Sequence, residues 1–274
     1  MSARPLPSAN PGARRAKGPA VSTAEGWPYP LWIAHRGAGR LAPENTLAAF
    51  RVGASYGYRA FECDVKLSAD GVPFLLHDTT LDRTTPERGA AGGRPWGELS
   101  RIDAGAWHSR RFAGEPIPSL DAIARYVQRN GFALNIEIKP TPGVEQLTGA
   151  AVGEACLRLW QGSNAAPPLF SSFRPEALQG AKDSAPSIRR ALLVDGPWPG
   201  WFDTARRLGC VAVVTNYNLM DAALIARLHG AGMKGLCYTV NDPPEARRLV
   251  ALGIDGIITD AVDRFSPGAA GVFD

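Results

Sequence analysis

Three short stretches hold the residue types that could bind a divalent ion and act on a phosphodiester. They are Ile33-Ala34-His35-Arg36-Gly37, Phe61-Glu62-Cys63-Asp64-Val65 and Asn135-Ile136-Glu137-Ile138-Lys139. Each closes an apolar run of strand type. Strand side chains alternate faces with period two. Glu62 and Asp64 therefore share a face, as do Glu137 and Lys139, while Cys63 and Ile138 point into the opposite layer. Taken alone, Glu62 and Asp64 read as a polar strand end paired with arginines. Glu137 on the neighbouring predicted strand changes that reading, because three carboxylates on one interior face repel one another and call for a cation. An all-oxygen set suits a hard ion such as Mg²⁺ or Ca²⁺, whereas zinc would recruit more His or Cys.

Cleaving a phosphodiester also requires a proton to be taken and a proton to be given. Of four histidines, His35 and His77 end predicted strands beside the acidic residues. His108 and His229 read as surface or supporting groups. Arg36, through its fork, and Lys139, as a point charge, are candidates for the phosphate oxygens. Pro43-Glu44-Asn45-Thr46 has two readings. Glu44 and Asn45 could open a helix by charge and capping. Alternatively, Glu44 reaches the metal or orients a ligand, and Asn45 touches the phosphate. Tyr238, near the end of another strand, lines the substrate pocket or the barrel wall, and Phe173 has the same two readings.

The elements that must position these groups alternate along the chain. Strand patterns cover Leu31–His35, Ala60–Val65, Phe132–Ile138, Pro168–Phe173, Ile188–Val194, Val211–Thr215, Gly235–Val240 and Gly256–Thr259. Helical patterns cover Glu44–Tyr56, Leu120–Asn130, Gly143–Trp160, Pro175–Ser184, Gly200–Leu208, Asp221–Ala231 and Pro243–Leu252. Such alternation implies a parallel sheet, and eight repeats favour closure into a single (β/α)₈ TIM barrel of the α/β class. In that fold the C-terminal strand ends build the active site. An insertion of about residues 68–117 after the second barrel strand breaks the rhythm. It holds a further strand ending at His77-Asp78, then Trp96, Trp107 and Phe112 spaced like a local core. A loop this long is usually functional, and it is expected to cover the substrate.

Composition agrees. The chain has 274 residues, 45% of them hydrophobic, which suits one large domain over residues 27–268. The formal net charge of +4 sits mostly in the first thirty residues, where Arg4, Arg14, Arg15 and Lys17 face Glu25. Without a Lys/Arg cluster on the folded part, a nucleic-acid partner is not expected. Residues 1–26 read as a disordered leader. They lack the apolar core of a secretion signal, and no run is long enough for membrane insertion. Cys63, Cys156, Cys210 and Cys237 are too far apart for a zinc site and read as buried free thiols, which points to a cytoplasmic enzyme. A homodimer is compatible with this reading.

Together these motifs resemble the glycerophosphodiester phosphodiesterase family. The resemblance runs over His35-Arg36-Gly37, Pro43-Glu44-Asn45-Thr46, Glu62-Cys63-Asp64-Val65, Asp70-Gly71 and His77-Asp78. It continues through Arg83-Thr84-Thr85, Asp103-Ala104-Gly105, Glu115-Pro116-Ile117-Pro118, Glu137-Ile138-Lys139 and Thr239-Val240-Asn241. It spans about residues 28–266 and looks nearest to the cytosolic bacterial enzymes linked to glycerol-3-phosphate uptake. The resemblance implies hydrolysis of small-molecule glycerophosphodiesters to sn-glycerol 3-phosphate and an alcohol, within lipid and glycerol metabolism. His35 and His77 then carry acid–base work, Glu62, Asp64 and Glu137 the metal, and Arg36 and Lys139 the phosphate. Cys63 and Tyr238 stand where other members vary or carry tryptophan. Two rival expectations are a lysophospholipid-cleaving or cyclising phosphodiesterase on the same barrel and a non-catalytic phosphodiester-binding module.

Overall fold

The computed structural model describes residues 26–265 and 267. The leader expected over residues 1–26 therefore lies, Gly26 excepted, outside the described residues. Eight parallel strands form the barrel: β1 (Trp32–Ala34), β2 (Ala60–Leu67), β4 (Ala133–Ile138), β5 (Leu169–Ser172), β6 (Arg189–Val194), β7 (Ala212–Asn216), β8 (Lys234–Tyr238) and β9 (Gly256–Thr259). β1 pairs with both β2 and β9, so the sheet closes on itself. The extra strand β3 (Pro73–Leu75) lies antiparallel on the end of β2. The crossing helices are α1 (Leu47–Ser55), α3 (Leu120–Asn130), α4 (Glu145–Trp160), α5 (Pro175–Ser184), α6 (Trp201–Arg207), α7 (Ala222–Gly230) and α8 (Pro243–Ala251), and a short α2 (Trp96–Leu99) sits in the insertion. The expected α/β barrel is the fold of this chain.

Side-chain alternation sorts the strands into two apolar layers. Cys63, Val65, Ile136 and Ile138 face outward into the layer shared with the helices, against residues such as Leu120, Ile123 and Val152. Ile33, Ala60, Ala133, Leu169, Leu193, Val214, Leu236 and Ile258 face inward, over a floor made by Trp27 and Tyr29. Truncating an inward residue such as Leu236, fully buried, to Ala costs about 2–5 kcal/mol. Two or four residues further along each strand, the same phase turns polar, and His35, Glu62, Glu137, Asp195 and Tyr238 line one cavity at the mouth. An apolar floor and a polar mouth thus follow from a single periodicity.

Three local differences from the sequence reading bear on the site. β1 ends at Ala34, and His35–Gly37 turns sharply, with Arg36 at φ 49° and Gly37 at φ 97°. A Cβ on Gly37 would stand 2.8 Å from the Ala49 Cβ, so this turn requires glycine. Helix α1 begins at Leu47, three residues later than expected, because Thr46 is its cap and accepts a bond from Ala49 N at 3.2 Å. Asn45 precedes it at φ 59°, a left-handed conformation that Asn tolerates but no helix continues.

The insertion packs its own small core of Phe74, Leu76, Leu81, Leu99, Ile102 and Ile117. Asp103 ties the segment together by accepting from the backbone N–H of Gly105, Ala106 and Gly114 at 2.8–2.9 Å. Trp96 and Phe112 pack inward, but Trp107 is 41% exposed rather than part of a core. Of the insertion, only His77, Asp78 and Thr79 line the two cavities at the mouth. It is a side wall, not the cover expected from its length.

Candidate active site

β2 and β4 lie side by side in a register that sets Asp64 opposite Glu137, with Glu62 one inward position below Asp64. One oxygen from each of Glu62, Asp64 and Glu137 falls within 4.8 Å of the others. The other contacts of these carboxylates act as anchors. Glu62 Oε2 accepts from Arg36 N–H at 3.0 Å. Asp64 Oδ2 accepts from Asn45 Nδ2 at 2.8 Å, while Asp64 N–H donates back to Asn45 Oδ1 at 3.0 Å. Glu137 Oε1 accepts from Lys139 Nζ at 2.8 Å. The remaining oxygens, Glu62 Oε1 and Asp64 Oδ1, are buried with no hydrogen-bond partner among the described residues. Buried acceptors in native proteins are rarely left so, and these residues fit a hard divalent ion.

Electrostatics point the same way. Burial, and then the neighbouring Asp64 charge, push Glu62 up to about 8 and Glu137 up to about 7. Burial also acts to raise Asp64, but Arg36 and Lys139 outweigh it and hold that carboxyl well below the usual range. The trio resists full ionisation until a counter-charge arrives.

Both expected histidines reach the same cavity. His35 Nδ1 lies 2.6 Å from Asp260 Oδ1, and its Nε2 is 3.8 Å from Glu62 Oε2. Burial works against the charged ring, yet the Asp260 hydrogen bond and the Glu62 charge together raise its pKa above the ordinary value. His77 Nδ1 lies 2.7 Å from Asp78 Oδ1. Burial lowers its pKa, helped by Arg36 and Lys139 and opposed by Asp64 and Asp78. A carboxylate on Nδ1 orients each ring and leaves Nε2 for proton transfer.

Asp260 did not emerge from sequence reasoning. Its signal is positional, since it follows Thr259 at the mouth end of the last strand, in phase with the inward Ile258. Asn241 holds it, accepting from Asp260 N–H at 2.9 Å. Gly39 packs so closely against it that a Cβ would collide with the Asp260 carbonyl.

Two candidates sit elsewhere than expected. Asn45 is 3% exposed and spends its amide on Asp64. Both ends of its amide are engaged, by that residue's carboxylate and its backbone N–H. Glu44 neither opens α1 nor joins the carboxylate trio. It accepts from Arg36 at 3.0 Å and twice from Arg83 at 2.7 Å. Arg83 in turn grips Asp78 at 2.7 Å, so a chain of charges runs Arg36–Glu44–Arg83–Asp78–His77 and ties the His77 side to the His35 turn. Arg83 had stood out only as part of a motif.

Lys139 Nζ is 3.6 Å from Asp64 Oδ1 and 5.7 Å above the Phe173 ring. Beneath it Lys66, 1% exposed, donates to the Lys139 carbonyl at 3.0 Å and is pushed down to about 8 by burial. Tyr238 donates its hydroxyl to Asp195 at 3.0 Å and stands edge-on to Phe173. His108 contacts the Arg40 carbonyl, and His229 pairs with Asp255, both apart from the cavity.

A phosphodiester presents one negative charge, one bond to break and two oxygens needing proton transfer. This mouth meets each demand, which places the chain among the phosphoric diester hydrolases built on the α/β barrel. Residues 35–264 match the Glycerophosphoryl diester phosphodiesterase family, and the chain belongs to it. It is 32% identical over 238 residues to a glycerophosphodiester phosphodiesterase of Caldanaerobacter subterraneus, covering 84% of this chain and 93% of that protein. An Oleispira antarctica phosphodiesterase, solved in complex with the product sn-glycerol-3-phosphate, superposes with a TM-score of 0.79 at 34% identity, covering 85% of this chain and 94% of the other. The Agrobacterium tumefaciens glycerophosphodiester phosphodiesterase gives 0.71 at 28% identity, over 89% and 98%.

Proposed function

We propose that the protein hydrolyses glycerophosphodiesters to sn-glycerol 3-phosphate and the free alcohol, using a divalent ion at Glu62, Asp64 and Glu137 and acid–base catalysis by His35 and His77. The observation that carries the reading is the convergence of three carboxylates within 4.8 Å, with Glu62 Oε1 and Asp64 Oδ1 buried and without a hydrogen bond among the described residues, beside a cavity both histidines line. Binding of sn-glycerol-3-phosphate by the Oleispira relative supports the product. A bound Mg²⁺ or Ca²⁺ supplies charge neutralisation at the phosphate and a lower pKa for the attacking oxygen.

The chain's own groups do the rest. Arg36 and Lys139 hold phosphate oxygens and orient the diester. One histidine takes the proton of the attacking oxygen, and a new P–O bond forms as the ester P–O bond breaks. The other gives its proton to the departing alkoxide. One water is consumed overall, and Asp260 and Asp78 hold the rings in place throughout. Asn45, Glu44 and Arg83 act by positioning. A cytoplasmic location belongs to this reading, supported by four buried cysteines that are all free.

The test is release of glycerol 3-phosphate from glycerophosphocholine and glycerophosphoethanolamine by metal-stripped protein, with and without added Mg²⁺ or Ca²⁺. Ion-dependent release from both is expected. Undiminished release after exhaustive chelation would overturn the metal assignment. Choline phosphate as product would mean that the other ester bond breaks.

A further inference from the structure

A diester has two arms, and the carboxylate trio has a cavity on either side. The first, about 260 Å³, reaches into the barrel and carries His35, Ser171, Leu193, Asp195, Tyr238 and Thr239. The second, about 520 Å³, opens between the insertion and the loops after β4 and β5, and carries Lys66, Asp78, Thr79, Pro140, Pro142 and Arg174. His77, Glu137, Lys139 and Phe173 border both. A single phosphate beside the trio can therefore send one arm into each.

Size and chemistry assign the arms. The smaller cavity offers hydroxyl, amide and carboxylate partners, which suit the short, uncharged, diol-bearing glycerol. The larger one has room for the variable alcohol, and its polarity differs. Asp78 is already engaged by Arg83 and His77, and Glu137 by Lys139. Two cations there have no ion pair among the described residues, Lys66 and Arg174. Lys66 Nζ donates to a carbonyl only. The Arg174 backbone is fixed by its N–H bond to Ser172 Oγ at 3.1 Å, while its guanidinium forms no ion pair among those residues. Glu145, which feels the Arg174 charge, turns both carboxylate oxygens to Gly143 N–H at 3.0–3.1 Å.

We propose that this second cavity is the leaving-alcohol subsite and that Arg174, with Lys66 behind it, selects glycerophosphodiesters whose alcohol carries an anionic group, a phosphate or a carboxylate. The inference rests on the hydrolysis proposed above. Arg174 is exposed at the rim of this cavity, where its guanidinium is free to meet a phosphate or carboxylate through a two-pronged contact. A quaternary ammonium in the same place meets repulsion instead.

The experiment compares glycerol 3-phosphate release from glycerophosphoinositol 4-phosphate, glycerophosphoinositol and glycerophosphocholine, by wild type, Arg174→Gln and Arg174→Glu. The expected wild-type order of kcat/KM is the order given, with about tenfold between the first two, carried by KM. Arg174→Gln should collapse that step, and Arg174→Glu should bring glycerophosphocholine to the front. Equal wild-type rates on all three substrates would overturn the inference while leaving hydrolysis intact. An equal fall on all three in both variants would put the glycerol arm beside Arg174 and overturn it too. No release from any substrate would remove the hydrolysis reading and this one with it.

Discussion

The two sides of the barrel mouth are built differently. On the β1–β2–β4 side the charged groups at the cavity are closely tied: Arg36 by Glu44 and Asp64, Asp64 by Asn45, His35 by Asp260, His77 by Asp78. The β5–β8 side offers Phe173, Asp195 and Tyr238, joined by one 3.0 Å hydrogen bond and one edge-on ring contact. The first wall is rigid because a proton or metal must sit within fractions of an ångström of its target. The second has only to accept a shape. On the proposed reading, metal and proton transfer fall to the first wall and the fit of the glycerol arm to the second, so substitutions on the two should fail in different ways.

The sharpest test removes a proton carrier from the rigid wall. His35→Ala or His77→Ala should lower kcat by about 10²–10⁴-fold with little change in KM. Near-normal turnover in either would take that histidine out of the mechanism.

A smaller effect is expected one step back. Asn45→Ala leaves Asp64 without its clamp and should weaken divalent-ion affinity by about 10–100-fold, read by titrating metal-stripped protein calorimetrically. A fall in substrate affinity at unchanged metal affinity would return Asn45 to the phosphate.

The carboxylate trio also predicts a pH signature. Glu62 and Glu137, pushed up to about 8 and 7, hold protons in the folded state that the unfolded chain releases near pH 4.5. Folded metal-free protein thus binds more protons than unfolded between those values, and its stability must fall as pH rises through that window. Metal-free protein should lose about 2–4 °C or more of Tm between pH 5 and 8, and saturating Mg²⁺ or Ca²⁺ should abolish the slope. Parallel melting curves with and without the ion would refute the idea that the trio waits for a counter-charge.

The β5–β8 wall gives the mildest response. Tyr238→Phe removes one hydroxyl bond to Asp195 and should raise KM by about 2–10-fold while kcat holds. A kcat loss as deep as that of the histidine variants would erase the distinction between the walls.

The rigid wall is also the part most legible in the sequence. Glu62, Asp64, Glu137 and Lys139 could be placed because a period of two fixes their faces and neighbouring parallel strands fix their register. His35 and His77 followed from their positions at strand ends. Asp260 was not legible because its partner lies 225 residues away, and only barrel closure brings them together. Asn45 misled because the same side chain can cap a helix, bind a ligand or clamp a carboxylate. Its left-handed backbone, which delays α1, decides among these. The insertion misled for another reason. Its length implied a cover, but its apolar residues make a core of their own, so it stands beside the mouth.

Barrel closure joins the two ends of the described chain at the site. His35 follows the first barrel strand and Asp260 the last, with Phe265 stacked on Trp32 at 4.9 Å beside them. The carboxylate trio needs only the neighbouring strands β2 and β4, whereas the His35–Asp260 contact joins residues 225 apart and needs the closed barrel. The orientation of the His35 ring is thus a readout of ring closure: whatever loosens the β1–β9 seam frees the imidazole from Asp260 while the β2–β4 pairing, and the carboxylates on it, can stay in register.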